Sequence, residues 1–365
     1  AKWIPVFFVP GLAMLPLAPS MGNTTEILKV LFIVVAGFYY SCATTAYAVL
    51  GLRKMQGSVT SAAVPVASSD SSGAPKPKPF STNLVNVLGQ GLILTGALSI
   101  GAAKVGRDDL ATPLNAAFML FTTFYGYVWG ARLHPSFVKI IHPLVTSTVV
   151  TLALTQLVAA LMGKSFESAL STYKVGSMSV MKAGAGDVLL YLLGPSVVSF
   201  AISIYSRKQV IADNILTVFT AMMIGSVGGL FGTAFMVRLL QLGGDAGTML
   251  RKSMLPRNIT TPLAIAITNI IGGDIAQACA VVVLTGIYGA TFGQRFLNSV
   301  GITDPVSRGL GMGASAQGLG VATMMSEAEA FPFAAVSMVL TAMTATTLVS
   351  IPAFAKAVVG VATGN

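Results

Sequence analysis

The chain has 365 residues, 54% of them hydrophobic and only 9% charged, with a mean hydropathy of +0.79. Water-soluble domains carry about 25% charged residues, so this inventory excludes a water-facing surface and requires a chain embedded in lipid. The net charge is +10, but the positive residues gather between apolar runs, as at Arg53-Lys54, Arg207-Lys208 and Arg251-Lys252. Loop charges of that kind set orientation in a membrane; no basic stripe interleaved with aromatics points to nucleic acid.

Residues 4–18 are an apolar stretch cut by Pro10, Pro16 and Pro19, expected to be the end of one span. Thr24-Thr25-Glu26 reads as a helix start, and 27–52 is long enough to cross a bilayer, which takes about 20 residues. Residues 53–83 are rich in Ser, Ala and Pro and run into Pro75-Lys76-Pro77-Lys78-Pro79. That composition buries no core and predicts a solvated linker, dividing the chain into an N-terminal membrane part (1–52), the linker (53–83), and a larger membrane domain (84–365). Beyond it, spans are predicted at 84–103, 111–131, 137–162, 187–205, 210–240, 275–296 and 327–358, the last flanked by Pro332 and Pro352 and read as two pieces or one. Gly225, Gly228, Gly229 and Gly232 form two overlapping GxxxG spacings, which permit close helix contact within one chain or between two copies. Cys42 and Cys279 lie inside apolar runs and read as small core residues, with no disulfide framework or zinc spacing. The fold class is all-α, a polytopic membrane helix bundle.

Three further segments, 171–186, 257–272 and 306–325, are apolar but punctuated by Gly, Pro, hydroxyls and amides. Irregular backbone inside a bilayer survives only where it lines a cavity, and paired interrupted helices mark the substrate site of secondary transporters. GDVLLYLLGPSVVSFAISIY (186–205) and PRNITTPLAIAITNIIGGD (256–274) each place hydroxyls and a proline near the start of an apolar helix. The pair is an echo of the kind an inverted repeat leaves, and predicts half-helices opening inside the membrane.

Catalytic patterns fail on inspection. Gly163-Lys164-Ser165 lacks the upstream glycine of a phosphate loop, and Gly309, Gly311 and Gly313 follow no strand. Gly184-Ala185-Gly186-Asp187 matches the GxGD of intramembrane aspartyl proteases, but that chemistry needs a second facing aspartate, and no Tyr-Asp partner occurs. His134 and His142, each followed by Pro, flank the start of a span and read as interfacial histidines, a proton relay being the alternative. No catalytic residue, metal or cofactor is expected.

A site that binds a small anion without reacting fits what remains. Helix N-termini offer unpaired N–H groups and about half a unit of positive charge. Thr260-Thr261-Pro262 opens a helix, with hydroxyls at the cap and Pro early in the first turn. Asn258 adds an amide and Arg257 a cation. On the other broken segment Ser315 and Gln317 offer donors and acceptors, while Gly318 and Gly320 let a ligand approach the backbone. Ser196, next to Pro195, is the candidate on the echoing segment. For each, a helix cap or interhelical hydrogen bond is the competing role.

DPVSRGLGMGASAQGLGVAT, PRNITTPLAIAITNIIGGD and LLGPSVVSFAI together resemble LrgB-type (CidB-like) membrane proteins over roughly residues 84–360, in the same order. FFVPGLAMLP and the span after it resemble the end of an LrgA-type protein, and fusion of the two through a linker is the arrangement of plastidal carriers of plants. The resemblance implies exchange of glycolate and glycerate across the chloroplast inner envelope, in photorespiration; the mechanism expected from the broken helices is alternating access, elevator-like in preference to rocking. Membrane lipids and a second copy of the chain are the other implied partners. Bacterial members usually carry His at the position of Gln317. LrgA-type proteins are described as holin-like, so a passive pore or pore regulator is the alternative function. The LrgA-like part lacks its earlier spans, and Ala1 is not an initiator Met, so upstream residues, including a transit peptide, are expected.

Overall fold

The computed structural model describes residues 3–18, 21–60, 78–138, 141–179, 181–205, 208–244 and 247–364, among which every regular element is helical. The prolines near the N-terminus break it into α1 (Val9–Ala13) between 3-10 turns at Ile4–Phe8 and Leu15–Leu17. Asn23, not a threonine, caps α2 (Thr24–Met55), its side-chain oxygen accepting from the Glu26 amide at 3.1 Å. The Ser81 hydroxyl caps α3 (Thr82–Lys104), and Asp108 and Asp109 open α4 (Asp108–Ala131), where negative charge complements the helix dipole. The span predicted over 137–162 is two pieces, α5 (Pro135–Val138) and α6 (Pro143–Leu161), because each proline starts a helix afresh. Then come α7 (Phe166–Ser171), α8 (Ala185–Tyr205) and α9 (Lys208–Ala212). The predicted 210–240 span is α10 (Ile215–Met223) and α11 (Gly229–Leu239) joined through a π turn at Ile224–Gly228. The chain continues with α12 (Thr248–Met254), α13 (Thr261–Ile271), α14 (Ile275–Ser299) and α15 (Pro305–Met324). It closes with α16 (Phe331–Val349) and α17 (Pro352–Thr363), separated ahead of Pro352.

Among the described residues six helices are long and apolar enough to cross a membrane: α2, α3, α6, the α10–α11 pair, α14 and α16. Leu28 and Phe32 of α2 and Ile93 and Leu94 of α3 are exposed, as side chains facing lipid would be. Residues 61–77, most of the predicted linker, lie outside the described residues, and Arg53–Met55 belong to α2.

The chain divides into two compact units, each drawing on both sides of that segment: Ala1–Ala18 with Ser71–Val197, and Pro19–Asp70 with Val198–Asn365. In the first, fully buried Tyr173 shares its hydroxyl with Thr123, which also meets Thr151. The GxGD aspartate has a structural task there. Asp187 accepts from the amides of Val175, Gly176 and Gly184, each at 2.9 Å, and so folds the 171–186 segment around itself. Pro195 lies well inside α8 and opens no half-helix.

In the second unit α15 is buried along its length. Gly309 and Gly313 let it lie directly on the α16 backbone, where a Cβ would collide with the carbonyls of Ala330 and Ala334. One apolar core joins α2 (Val30, Ile33), α11 (Leu230, Val237), α13 (Ile267) and α14 (Val281, Val282), and a second packs Val306 and Leu310 of α15 with Val49 of α2, Val218 of α10 and Phe333 of α16. Two arginines expected to be loop charges are buried instead. Arg53 pairs with Asp304 at 3.0 Å, and Arg251 donates to the carbonyls of Leu242 and Gly244, both at 2.8 Å. Their positions at helix ends let them satisfy orphan carboxylate and carbonyl oxygens.

Candidate functional site: two interrupted helices and a buried arginine

The break in α15 falls at Gln317, whose backbone sits at φ 51° and ψ −145°. A side-chain-bearing residue is strained there by about 1–3 kcal/mol, and such strain gathers at functional positions. Around it the two interrupted segments interlock. The Gln317 amide nitrogen donates to the carbonyls of Arg257 and of Val282 on α14, both at 2.9 Å. The Asn258 amide nitrogen donates to Ala314, just before the break, at 2.9 Å and to Gly225, in the π turn, at 3.0 Å. Carbonyls freed by one broken helix are thus satisfied by a side chain of the other segment.

Among the described residues of the second unit Arg257 is the largest fully buried side chain. Its Nη2 donates to the Gly37 carbonyl at 2.6 Å and the Ser41 hydroxyl at 2.7 Å, both on α2, while Nε and Nη1 are buried without a partner. None of the ion pairs among the described residues includes it. Beside it, α13 begins at Thr260, with Thr261 and Pro262 in its first turn. A buried cation next to the positive end of a helix is unfavourable until an anion joins it.

Thr260 is the N-cap by position, but its hydroxyl caps nothing and it is only partly buried. Its backbone carbonyl starts the helix instead, accepting from Ala264 at 2.8 Å. Thr261 is buried with its hydroxyl unpartnered, as is the Asn258 side-chain oxygen. Ser315 donates to Gly311 at 2.7 Å, one turn back, so its hydroxyl keeps only acceptor capacity free. Gly318 is buried directly after the break. The structure therefore gathers Arg257, Asn258, Thr260, Thr261, Ser315, Gln317 and Gly318 on two interlocked segments. The Ser196 side chain lies outside the described residues, and its helix turn belongs to the other unit.

Sequence reasoning missed Gly37, Ser41, Gly225 and Thr341. Thr341, on α16, has a buried hydroxyl without a partner, and a Cβ on Gly225 would lie 2.9 Å from it and 2.8 Å from Ala314. Gly229 likewise faces Asn258, and Gly232 the Tyr40 ring, so the GxxxG spacings act within the chain. No carboxylate enters this arrangement, which offers unused donors (Arg257, Thr261, Thr341) and one unused amide oxygen (Asn258). That set can hold a small hydroxylated anion.

A model of the LrgB-like family matches residues 123–356. The chain is 32% identical, over 371 residues covering 99% of its length and 68% of the relative's, to plastidal glycolate/glycerate translocator 1, chloroplastic, of Arabidopsis thaliana. No solved structure matches.

Proposed function

The chain belongs to the LrgB-like family, and we propose that it is a secondary transporter that exchanges glycolate and glycerate across the chloroplast inner envelope, serving photorespiration. The observation that carries this reading is a fully buried guanidinium with Nε and Nη1 unpartnered, beside a helix N-terminus and a broken helix. Its anchors, Gly37 and Ser41, lie near the middle of α2, which spans Thr24–Met55. A guanidinium at that depth is no headgroup anchor; it needs an anion that arrives and leaves.

A two- or three-carbon hydroxy acid matches the unused atoms. The carboxylate goes to Arg257 and the first-turn amides of α13, and its hydroxyls to the Asn258 oxygen and the hydroxyls of Thr261 and Thr341. Alternating access follows if the interlocked segments move against the rest of the bundle, with the Gln317 break as the place where backbone angles change.

The test is counter-exchange of labelled glycolate in proteoliposomes. Losing a hydrogen bond to a charged group costs about 1.5–3 kcal/mol, a tenfold to hundredfold loss of affinity. Arg257→Ala is therefore expected to raise the half-saturating glycolate concentration at least tenfold or abolish uptake, and Arg257→Lys to rescue it only in part, because the guanidinium geometry is lost. Near-normal uptake by Arg257→Ala would overturn the site. Uptake that needs no internal glycolate or glycerate and does not saturate would favour the holin-like pore.

A further inference from the structure

The first unit holds a cavity of its own, of about 340 Å³, between the start of α4, the end of α6 and the 164–183 region. That volume falls within the range of small-molecule sites, about 300–1,000 Å³. Its walls are mostly Met, Ala and Val side chains, among them Met119, Val158 and Met162. Deep in it lies Thr155, 1% exposed, whose hydroxyl has no partner. Threonines in membrane helices usually bond the carbonyl one turn back, as Thr148 does at 2.9 Å. Thr155 does not, and a buried hydroxyl left unpaired is costly. Nearby, the Asn115 amide donates to the Thr172 hydroxyl at 3.1 Å, adding a second polar group to the lining.

The cavity also has an ionic end. Lys164, three residues beyond α6, and Lys182 line it; both are exposed, and neither is in an ion pair among the described residues. Asp108 is the only carboxylate in the lining, so the ionic end carries one net positive charge. Thr155 lies six residues inside the end of α6, roughly 9 Å along the axis, so a ligand spanning both ends needs an apolar stem several carbons long. Glycolate or glycerate would leave the apolar wall bare.

We propose that this cavity binds an amphipathic monoanion: an acyl-type stem against Met119, Val158 and Met162, an anionic head at Lys164 and Lys182, and an oxygen of the stem accepting from Thr155. A hydroxy fatty acid, through its chain hydroxyl, and a single-chain anionic phospholipid, through its ester oxygens, share that chemistry.

The test is native mass spectrometry of the full chain in an uncharged detergent, with 10-hydroxydecanoate, lysophosphatidylglycerol and zwitterionic lysophosphatidylcholine offered in turn. A one-to-one adduct with either anionic probe, and none with lysophosphatidylcholine at the same concentration, is expected. A 10-hydroxydecanoate adduct alone assigns the carboxylate source, and a lysophosphatidylglycerol adduct alone assigns the phospholipid. Lys164→Gln with Lys182→Gln, both surface changes, should weaken the adduct about tenfold, the loss expected for one charge-assisted contact. Ala159→Phe, which fills the cavity, should abolish it. Equal adducts in wild type and in both variants, or binding that ignores the head-group charge, would overturn the proposal.

Discussion

The Arg257 guanidinium is held by a carbonyl and a hydroxyl from residues 220 and 216 positions away. Gly37 is the tightest part of that arrangement, since a Cβ there would land on the guanidinium itself. Gly37→Ala should therefore displace Arg257 and remove exchange activity, with the chain still folding in detergent; unchanged uptake would show that Arg257 need not sit where it does. Thr261→Val and Thr341→Val test the unpartnered hydroxyls by opposite signs. Removing a buried hydroxyl that has no partner should leave the ligand-free protein as stable or more so, by up to about 1 kcal/mol. Glycolate affinity should fall in the same variants. Lower stability together with unchanged affinity would assign those hydroxyls to packing. Arg257 and Asn258 were legible because a cation and an amide beside a Pro-started helix are out of place in an apolar segment. Gly37, Ser41 and Thr341 were not, because nothing distinguishes them from other small residues of membrane helices until the fold brings them to the arginine.

Among the helices, the two interrupted segments were visible as punctuation, but the way they interlock was not. The Gln317 amide was expected to offer donors and acceptors to a ligand; in the fold its nitrogen ties the turn before α13 and the first half of α14 to the break. Two variants separate strain from bonding. Gln317→Leu keeps the strained φ and loses both bonds, so it should be the least stable, by about 2 kcal/mol at about 1 kcal/mol per bond. Gln317→Gly loses the bonds but relieves the strain, and should fall between Gln317→Leu and wild type. Thermal unfolding in detergent gives the order, and Gln317→Gly at the bottom would discard the strain argument. The GxGD motif shows how a short pattern misleads: the same spacing that could supply a catalytic carboxylate here closes a loop on three amides. His142, one residue before α6, likewise caps a helix, its Nδ1 accepting from Leu144 at 3.2 Å. Burial pushes its pKa down from the ordinary 6.5 to about 4, so the folded chain holds it neutral where the unfolded chain would protonate it. Its contribution to stability is complete above pH 6.5 and is lost as the pH falls toward 4. Melting temperature should drop across that window, and less steeply in His142→Asn, which keeps a cap; identical pH profiles would remove His142 from the account.

For the chain as a whole, the Ser- and Pro-rich segment was expected to be a linker; residues 61–77 of it lie outside the described residues, while the chain leading into it is placed. Asp304 caps α15 through the Ser307 amide at 2.9 Å, pairs with Arg53, and accepts from the Thr60 amide at 3.1 Å, so residues up to Thr60 are tied to the broken helix. Replacing 61–77 by a Gly/Ser stretch of equal length should leave exchange unchanged, whereas Asp304→Ala, which strands a buried arginine, should cost about 3–5 kcal/mol. Loss of uptake in the Gly/Ser chain at normal expression would make that stretch a working part. The contact between Arg257 and α2 bears on heredity as well as on chemistry. The family match covers residues 123–356, yet two of the atoms that hold its buried arginine belong to residues 37 and 41. A gene divided at the linker would therefore encode two polypeptides that are each deficient, and co-expression of residues 1–60 with 78–365 should restore by complementation what neither fragment does alone.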